Sequence, residues 1–379
     1  FFNSGGALPP AFVNVFGLTG TNLTNALLQL SGESATGAQR GANEEMTGFL
    51  NLVLDPFVYG GGAAGSGGTL GFAPERAALP DDLALAYAKA LGPAAAKAPP
   101  FEQRWNVWAS GFGGQNTTRG DATVGSHDVS ANIGGAAAGA DYHLTRDSVI
   151  GFALAGAGTN WSVAQGLGGG RSDAFQAGVY GATRSGPAYL AGTLAFANHW
   201  VSTDRTALGD QLTAKFDAQS FGGRVEGGYR LVVPFGGIAP YAALQAQSFR
   251  TPTYSETDIT GGGFGLTFQG RSASDTRAEL GARFDRAEVV SPDSILTLRG
   301  RLAWAHDWDS NPSLAAAFQA LPGQSFIVNG ATPASDLALV TAGAELAFRN
   351  GIALSGKFDG EFASRVQTYA GTVTLRYRW

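Results

Sequence analysis

Cysteine is absent from the 379-residue chain. This excludes disulfide staples, Cys-ligated zinc and thiol catalysis, and it suits a polypeptide that crosses an oxidising periplasm unfolded. No run of 18 apolar residues exists from which to build a membrane-spanning helix. Charge is scarce too: only 15% of residues are Asp, Glu, Lys or Arg, and mean hydropathy is near zero, a balance unusual for a soluble enzyme. With a net charge of -5 and a pI near 5.4, the chain has no basic footprint for nucleic acid. It opens on Phe1 with no signal peptide in view, as expected of a processed product.

What is present is alternation. In the last stretch, YAGTVTLRYRW, residues Tyr369, Gly371, Val373, Leu375, Tyr377 and Trp379 share one face, while Ala370, Thr372, Thr374, Arg376 and Arg378 share the other. Aromatics at both ends of the apolar face fit lipid on one side and water on the other. The 56 glycines follow no collagen period, and many lie inside alternating runs, where strongly coiled barrel strands tolerate them.

The chain has two textures. Residues 1–75 read as a helical junction with a glycine-rich linker, 76–100 as a helix with an extended lead-in, and 101–379 as strands. Within the junction, a helix starts at Thr21 or Asn22 and stops at Gly32. A second runs from Glu33 to Leu54, with Ala35, Ala38, Ala42, Met46, Phe49, Leu50 and Val53 on one stripe, and is expected to end at Asp55-Pro56. A third spans Pro80–Leu91, with an apolar stripe of Leu83, Tyr87 and Leu91.

Twelve alternating segments follow, near 103–114, 127–143, 148–161, 171–183, 187–202, 211–231, 237–251, 263–285, 294–309, 335–349, 351–363 and 366–379. Their connectors alternate between short and long, the asymmetry of outer-membrane barrels with short periplasmic turns and longer extracellular loops. The longest, Ser310–Ala334, is expected to carry a helix at Pro312–Leu321. The fold class is therefore an all-β transmembrane barrel of twelve antiparallel strands, closed up-and-down, with an N-terminal helical segment and a helix threading the lumen. The competing reading is a large soluble β protein with solvated outer faces. Charges alternate with apolar residues, which places Arg224, Glu226, Arg277, Glu279, Arg299, Arg301, Lys357, Asp359 and Glu361 in the lumen. On the lipid side an Arg or Lys at mid-bilayer costs about 2–4 kcal/mol. A barrel of this size leaks unless filled and holds one helix. Pro80–Leu91 is the helix expected in the lumen, against the alternative that it stays in the periplasm.

RWNVWASGFGG (Arg104–Gly114), GADYHLTRDSVIGFALAGAGTNW (Gly139–Trp161), RSDAFQAGVYG (Arg171–Gly181), ELGARFD (Glu279–Asp285) and the terminal strand carry a resemblance. Over residues 80–379 the chain resembles the C-terminal translocator domain of monomeric autotransporters (type Va secretion). Residues 8–58 resemble the junction before the barrel in alphaproteobacterial members. The resemblance implies a monomeric barrel in outer-membrane lipid, a passenger exported to the cell surface, and insertion by the barrel-assembly machinery. That machinery would read Val373, Leu375, Tyr377 and Trp379. Self-cleavage at paired asparagines, seen in some relatives, has no counterpart in Pro80–Leu91.

Chemistry is otherwise sparse. A GxGxxG at Gly60, Gly62 and Gly65 follows no strand. The four histidines have no metal-ligand spacing, and no cofactor is expected. His127, His199 and His306, with Asp128, Asp204 and Asp307, leave room for a rim protease as a minor alternative. A diffusion channel with periplasmic N-terminal helices is the main alternative to the translocator. A third possibility is an adhesion module using the Glu33–Leu54 stripe.

Overall fold

A computed structural model describes residues 8–58, 104–309 and 312–379. Twelve long strands form one antiparallel sheet: β1 Trp105–Thr118, β2 Val129–His143, β3 Ser148–Val163, β4 Gly169–Ser185, β5 Ala188–Ala207, β6 Asp210–Tyr229, β7 Gly236–Thr251, β8 Arg271–Ser291, β9 Ser294–Asp309, β10 Asp336–Phe348, β11 Ile352–Phe362 and β12 Val366–Arg378. Each pairs with its neighbour in sequence, and β1 pairs with β12, for example Gly111 with Val373, so the sheet closes on itself. The expected barrel and strand count are borne out. So is the connector asymmetry, with tight turns at one end and all the long loops at the other.

Two expectations fail in the loops. Residues 263–270 belong to an extra-barrel segment, so β8 begins only at Arg271. The stretch expected to be a helix at Pro312–Leu321 is instead a hairpin, Ser313–Phe318 with Ser325–Asn329, in which Leu314 pairs with Val328. The run SLAAAF is too short for periodicity to separate helix from strand, and a partner strand decides it. This hairpin, Leu266–Phe268 and Tyr254–Ser255 make a second, four-stranded sheet at the long-loop end.

Among the described residues three helices precede the barrel: α1 Pro10–Phe16, α2 Gly20–Leu30 and, after a single 3-10 turn at Glu33–Thr36, α3 Gly37–Val58. Gly32 ends α2 with a left-handed φ of 72°, a conformation that favours glycine. α3 continues through Pro56, contrary to the expected stop. A proline in the last turn forfeits only the bond to the carbonyl four residues back. α1 and α2 sit at the long-loop end, where Phe12 meets Phe264 and Phe318 edge-on at 5.2 and 4.9 Å. α3 packs inside the barrel, mainly against β3 to β6.

Candidate functional site

The lumen and the helix inside it are the site. α3 is 22 residues long, or about 33 Å at 1.5 Å per residue, enough to run the height of a hydrocarbon core. Its stripe of Ala38, Ala42, Met46, Phe49, Leu50 and Val53 is buried against the wall, with Ala35 in the preceding turn. The top of α3 fits around Trp161, whose Nε1 donates to the Ser34 carbonyl at 2.8 Å. A Cβ on Gly37 would lie 2.1 Å from that indole, so only glycine brings the helix this close. Lower down, Phe49 lies over Gly178, where a Cβ would meet its ring at 2.8 Å.

Polar contacts tie the helix to the wall along its length. At the long-loop end Glu33 accepts the His127 backbone N–H at 2.6 Å, and its other oxygen lies 2.7 Å from His127 Nδ1. At mid-helix the buried Glu45 accepts the Thr159 hydroxyl. His199 Nδ1 lies 3.4 Å from Glu45, within ion-pair reach, and its Nε2 is 2.8 Å from Ser220 Oγ. Gln245 Nε2 donates to Thr47 Oγ1 at 2.9 Å. Near the lower end Asp55 pairs with Lys357. α3 therefore descends from the long-loop end toward the short turns.

The structure places the predicted lumen charges on the inner wall and pairs them. Arg224 reaches Glu279 at 2.6 Å and Glu226 at 2.9 Å, and Arg283 reaches Glu226 at 2.7 Å. Arg301 lies between Glu279 (3.6 Å) and Asp359 (3.7 Å), while Lys357 Nζ is 2.9 Å from Asp359. The belt thus runs from β6 through β8, β9 and β11 to Asp55 of the helix. Toward the loops Arg277 bridges Asp307 and Glu361 at 2.7 and 2.9 Å, and toward the short turns Arg299 pairs with Glu345 at 3.0 Å. Buried charges survive only when so partnered, since removing one partner typically costs about 3–5 kcal/mol.

Val373, Leu375, Tyr377 and Trp379 are exposed on the outer face. Leu83, Tyr87 and Leu91, with the Gly60–Gly65 motif, lie outside the described residues. The histidines do not converge: His199 is enclosed beneath α3, His127 meets Glu33, and His306 stands on the outer face with Trp304 and Trp308, 2.9 Å from Asp336. Sequence reasoning set Glu45 on the polar face opposite the stripe and took Glu33 and Asp55 only as the start and stop of the helix. Glu45 is instead buried beside the stripe, and periodicity does not name its partner.

A cap closes the long-loop end. Arg205 donates to both oxygens of Glu256 at 2.7 Å and to the Gln29 carbonyl at 2.7 Å, joining β5, a loop and α2. In the β1–β2 loop the Thr123 hydroxyl, and after it the Arg365 guanidinium, hold Asp121 below the usual carboxylate range.

A closed twelve-strand barrel, apolar outside, charged within and filled by a helix from its own N-terminal side, is an outer-membrane translocator by architecture. Residues 107–359 match the family model of the autotransporter beta-domain, and the chain belongs to that family. It is similar in fold to the translocator domain of autotransporter NalP from Neisseria meningitidis, with a TM-score of 0.59 and 14% identity, covering 79% of this chain and 96% of that one. The beta domain of the Bordetella autotransporter Brka follows at TM-score 0.56 and 18% identity, covering 72% of this chain and 99% of that one. An extracellular serine protease of Serratia marcescens is 26% identical over 212 residues, 55% of this chain. The match spans about a fifth of that protease, 20% of its length. The chain is thus an autotransporter translocator of the Gram-negative outer membrane.

Proposed function

We propose that this translocator anchors its passenger on the cell surface, with residues 8–30 outside and α3 closing the pore behind them. The observation that supports this is the course of α3, from Trp161 and His127 at the long-loop end down to Lys357. The chain has no cysteine of its own, so single cysteines report sidedness cleanly. On intact cells a membrane-impermeant maleimide should label Gly17→Cys and leave Ser185→Cys, at the short-turn end of β4, unlabelled until the outer membrane is breached. The reverse pattern would sink the proposal.

Delivery of the barrel to the membrane is assigned to the barrel-assembly machinery, reading Val373, Leu375, Tyr377 and Trp379 on the exposed face of β12. The barrel itself is proposed to be non-catalytic. Ser220, His199 and Glu45 stand in the order of a nucleophile, base and carboxylate, but all three are buried between α3 and the barrel wall, where they fasten the helix. Labelling of Ser220 by a fluorophosphonate in the intact protein would contradict that reading. The protease activity in the Serratia relative's name resides in a protein of which this chain matches only a fifth, and it is not transferred here.

A further inference from the structure

Beside the lower end of α3 the inner wall leaves a hollow of about 50 Å³, with Leu52 and Asp55 on the helix side. The register explains it. Gly343 of β10 stands between Arg299 of β9 and Lys357 of β11, so two long cations share a row with no side chain between them, and Thr372 of β12 continues that row. In the next row Ser355 lies opposite Thr374. Arg376, two residues further along β12, lines the same hollow.

Arg376 is the informative side chain. It is 7% exposed, makes no hydrogen bond among the described residues, and its Nε has no partner there. Its ion pair with Glu345 is 3.5 Å long, and Arg299 holds that carboxylate more closely, at 3.0 Å. A buried guanidinium so placed calls for another acceptor, because leaving a buried charge unmet costs more than leaving a neutral donor unmet. The hydroxyls of Ser355 and Thr372 also line the hollow, without a hydrogen bond among the described residues. Three cations and one carboxylate line it, and that carboxylate, Asp55, is engaged by Lys357. Glu345 and Asp359, which engage Arg299 and Lys357, do not line it.

We propose that the hollow binds a small tetrahedral oxyanion of the phosphate class, held by the Arg376 guanidinium and the Lys357 ammonium, with Ser355 and Thr372 donating their hydroxyls. A guanidinium fork matches two oxygens of such an ion, and Lys357 keeps a third N–H beyond those it turns to Asp55 and Asp359. Water alone fits the volume, but it brings no charge to offset the cations. The seat is open to exchange, since the Lys357 and Asp55 side chains keep 17% and 22% of their surface accessible. An ion there completes the charge pairing of the lower lumen, where β12 meets β1.

Equilibrium dialysis of the folded full chain against radiolabelled inorganic phosphate, in buffer free of other oxyanions, tests this. About one phosphate per barrel should be retained and then released by sulfate, and Arg376→Gln should weaken retention about tenfold. Ser355→Val, which removes a donor and narrows the hollow, should weaken it about as much, whereas Lys215→Gln on the outer face should leave it unchanged. Heat-modifiable gel migration identifies folded barrels, and Ser355→Val keeps the test decisive should Arg376→Gln not fold. No retention by the unaltered chain would mean that the hollow holds water only and would overturn the proposal, as would unchanged retention by a folded Arg376→Gln or Ser355→Val barrel.

Discussion

Phe49 and Glu45 occupy neighbouring turns of α3 and hold it by different physics. Phe49 is apolar and lodges where Gly178 leaves the wall open; Glu45 is a carboxylate that tolerates burial because Thr159 and His199 meet it. Truncating a buried Phe to Ala typically costs about 3–5 kcal/mol. Phe49→Ala should therefore speed hydrogen exchange of α3 amides by roughly two to three decades while the barrel still melts as before. Unchanged exchange would mean that the helix is held chiefly by its charges. At this scale the sequence was half legible. The apolar stripe could be read from its spacing, whereas the pairing of Glu45 with His199, far apart in the chain, could not, because periodicity identifies a face and not its partner.

At the scale of the element, the strands show why alternation was readable and where it misleads. β6 is 20 residues long, against the roughly 9–11 that cross a bilayer, and its polarity inverts along its length. From Phe221 to Tyr229 the outward positions are Phe221, Val225 and Tyr229, and the inward ones include Arg224 and Glu226. From Gln211 to Gln219 the outward positions are Gln211, Lys215, Asp217 and Gln219, and the inward ones are Leu212, Ala214, Phe216 and Ala218. The lower half faces lipid outside and a polar lumen inside; the upper half faces water outside and the cap's apolar core inside. Both halves alternate, so the period gives the strand, and only the sign of the alternation locates the membrane. The hairpin at Ser313–Phe318 defeats the same reading because its partner strand is not visible in a six-residue window. β12 keeps its apolar face outward to the end. If that face is the assembly signal, replacing Tyr377 and Trp379 with Ala should reduce folded barrel in the outer membrane several-fold without changing synthesis. Wild-type levels of heat-modifiable barrel would remove the role assigned to it.

For the whole molecule, the expectation of a plugged barrel was reached from width: twelve strands enclose room for one helix. The helix that fills the described lumen is α3, which the sequence pattern places in the junction, while Pro80–Leu91 lies outside the described residues. Length and an apolar stripe suit both segments to a lumen, and the sequence offers no means of choosing between them. The wall offers one: Gly178, Gly37 against Trp161, and Lys357 opposite Asp55 form a seat complementary to α3. A diffusion channel needs an open lumen, whereas α3 is packed against the wall and a gap of about 50 Å³ lies between its lower end and the β10–β12 wall. Planar-bilayer conductance tests the account most directly. The intact chain should pass little current, and the same barrel lacking residues 1–58 should open a large, steady pore. Equal, large conductance from both would contradict a lumen closed by α3.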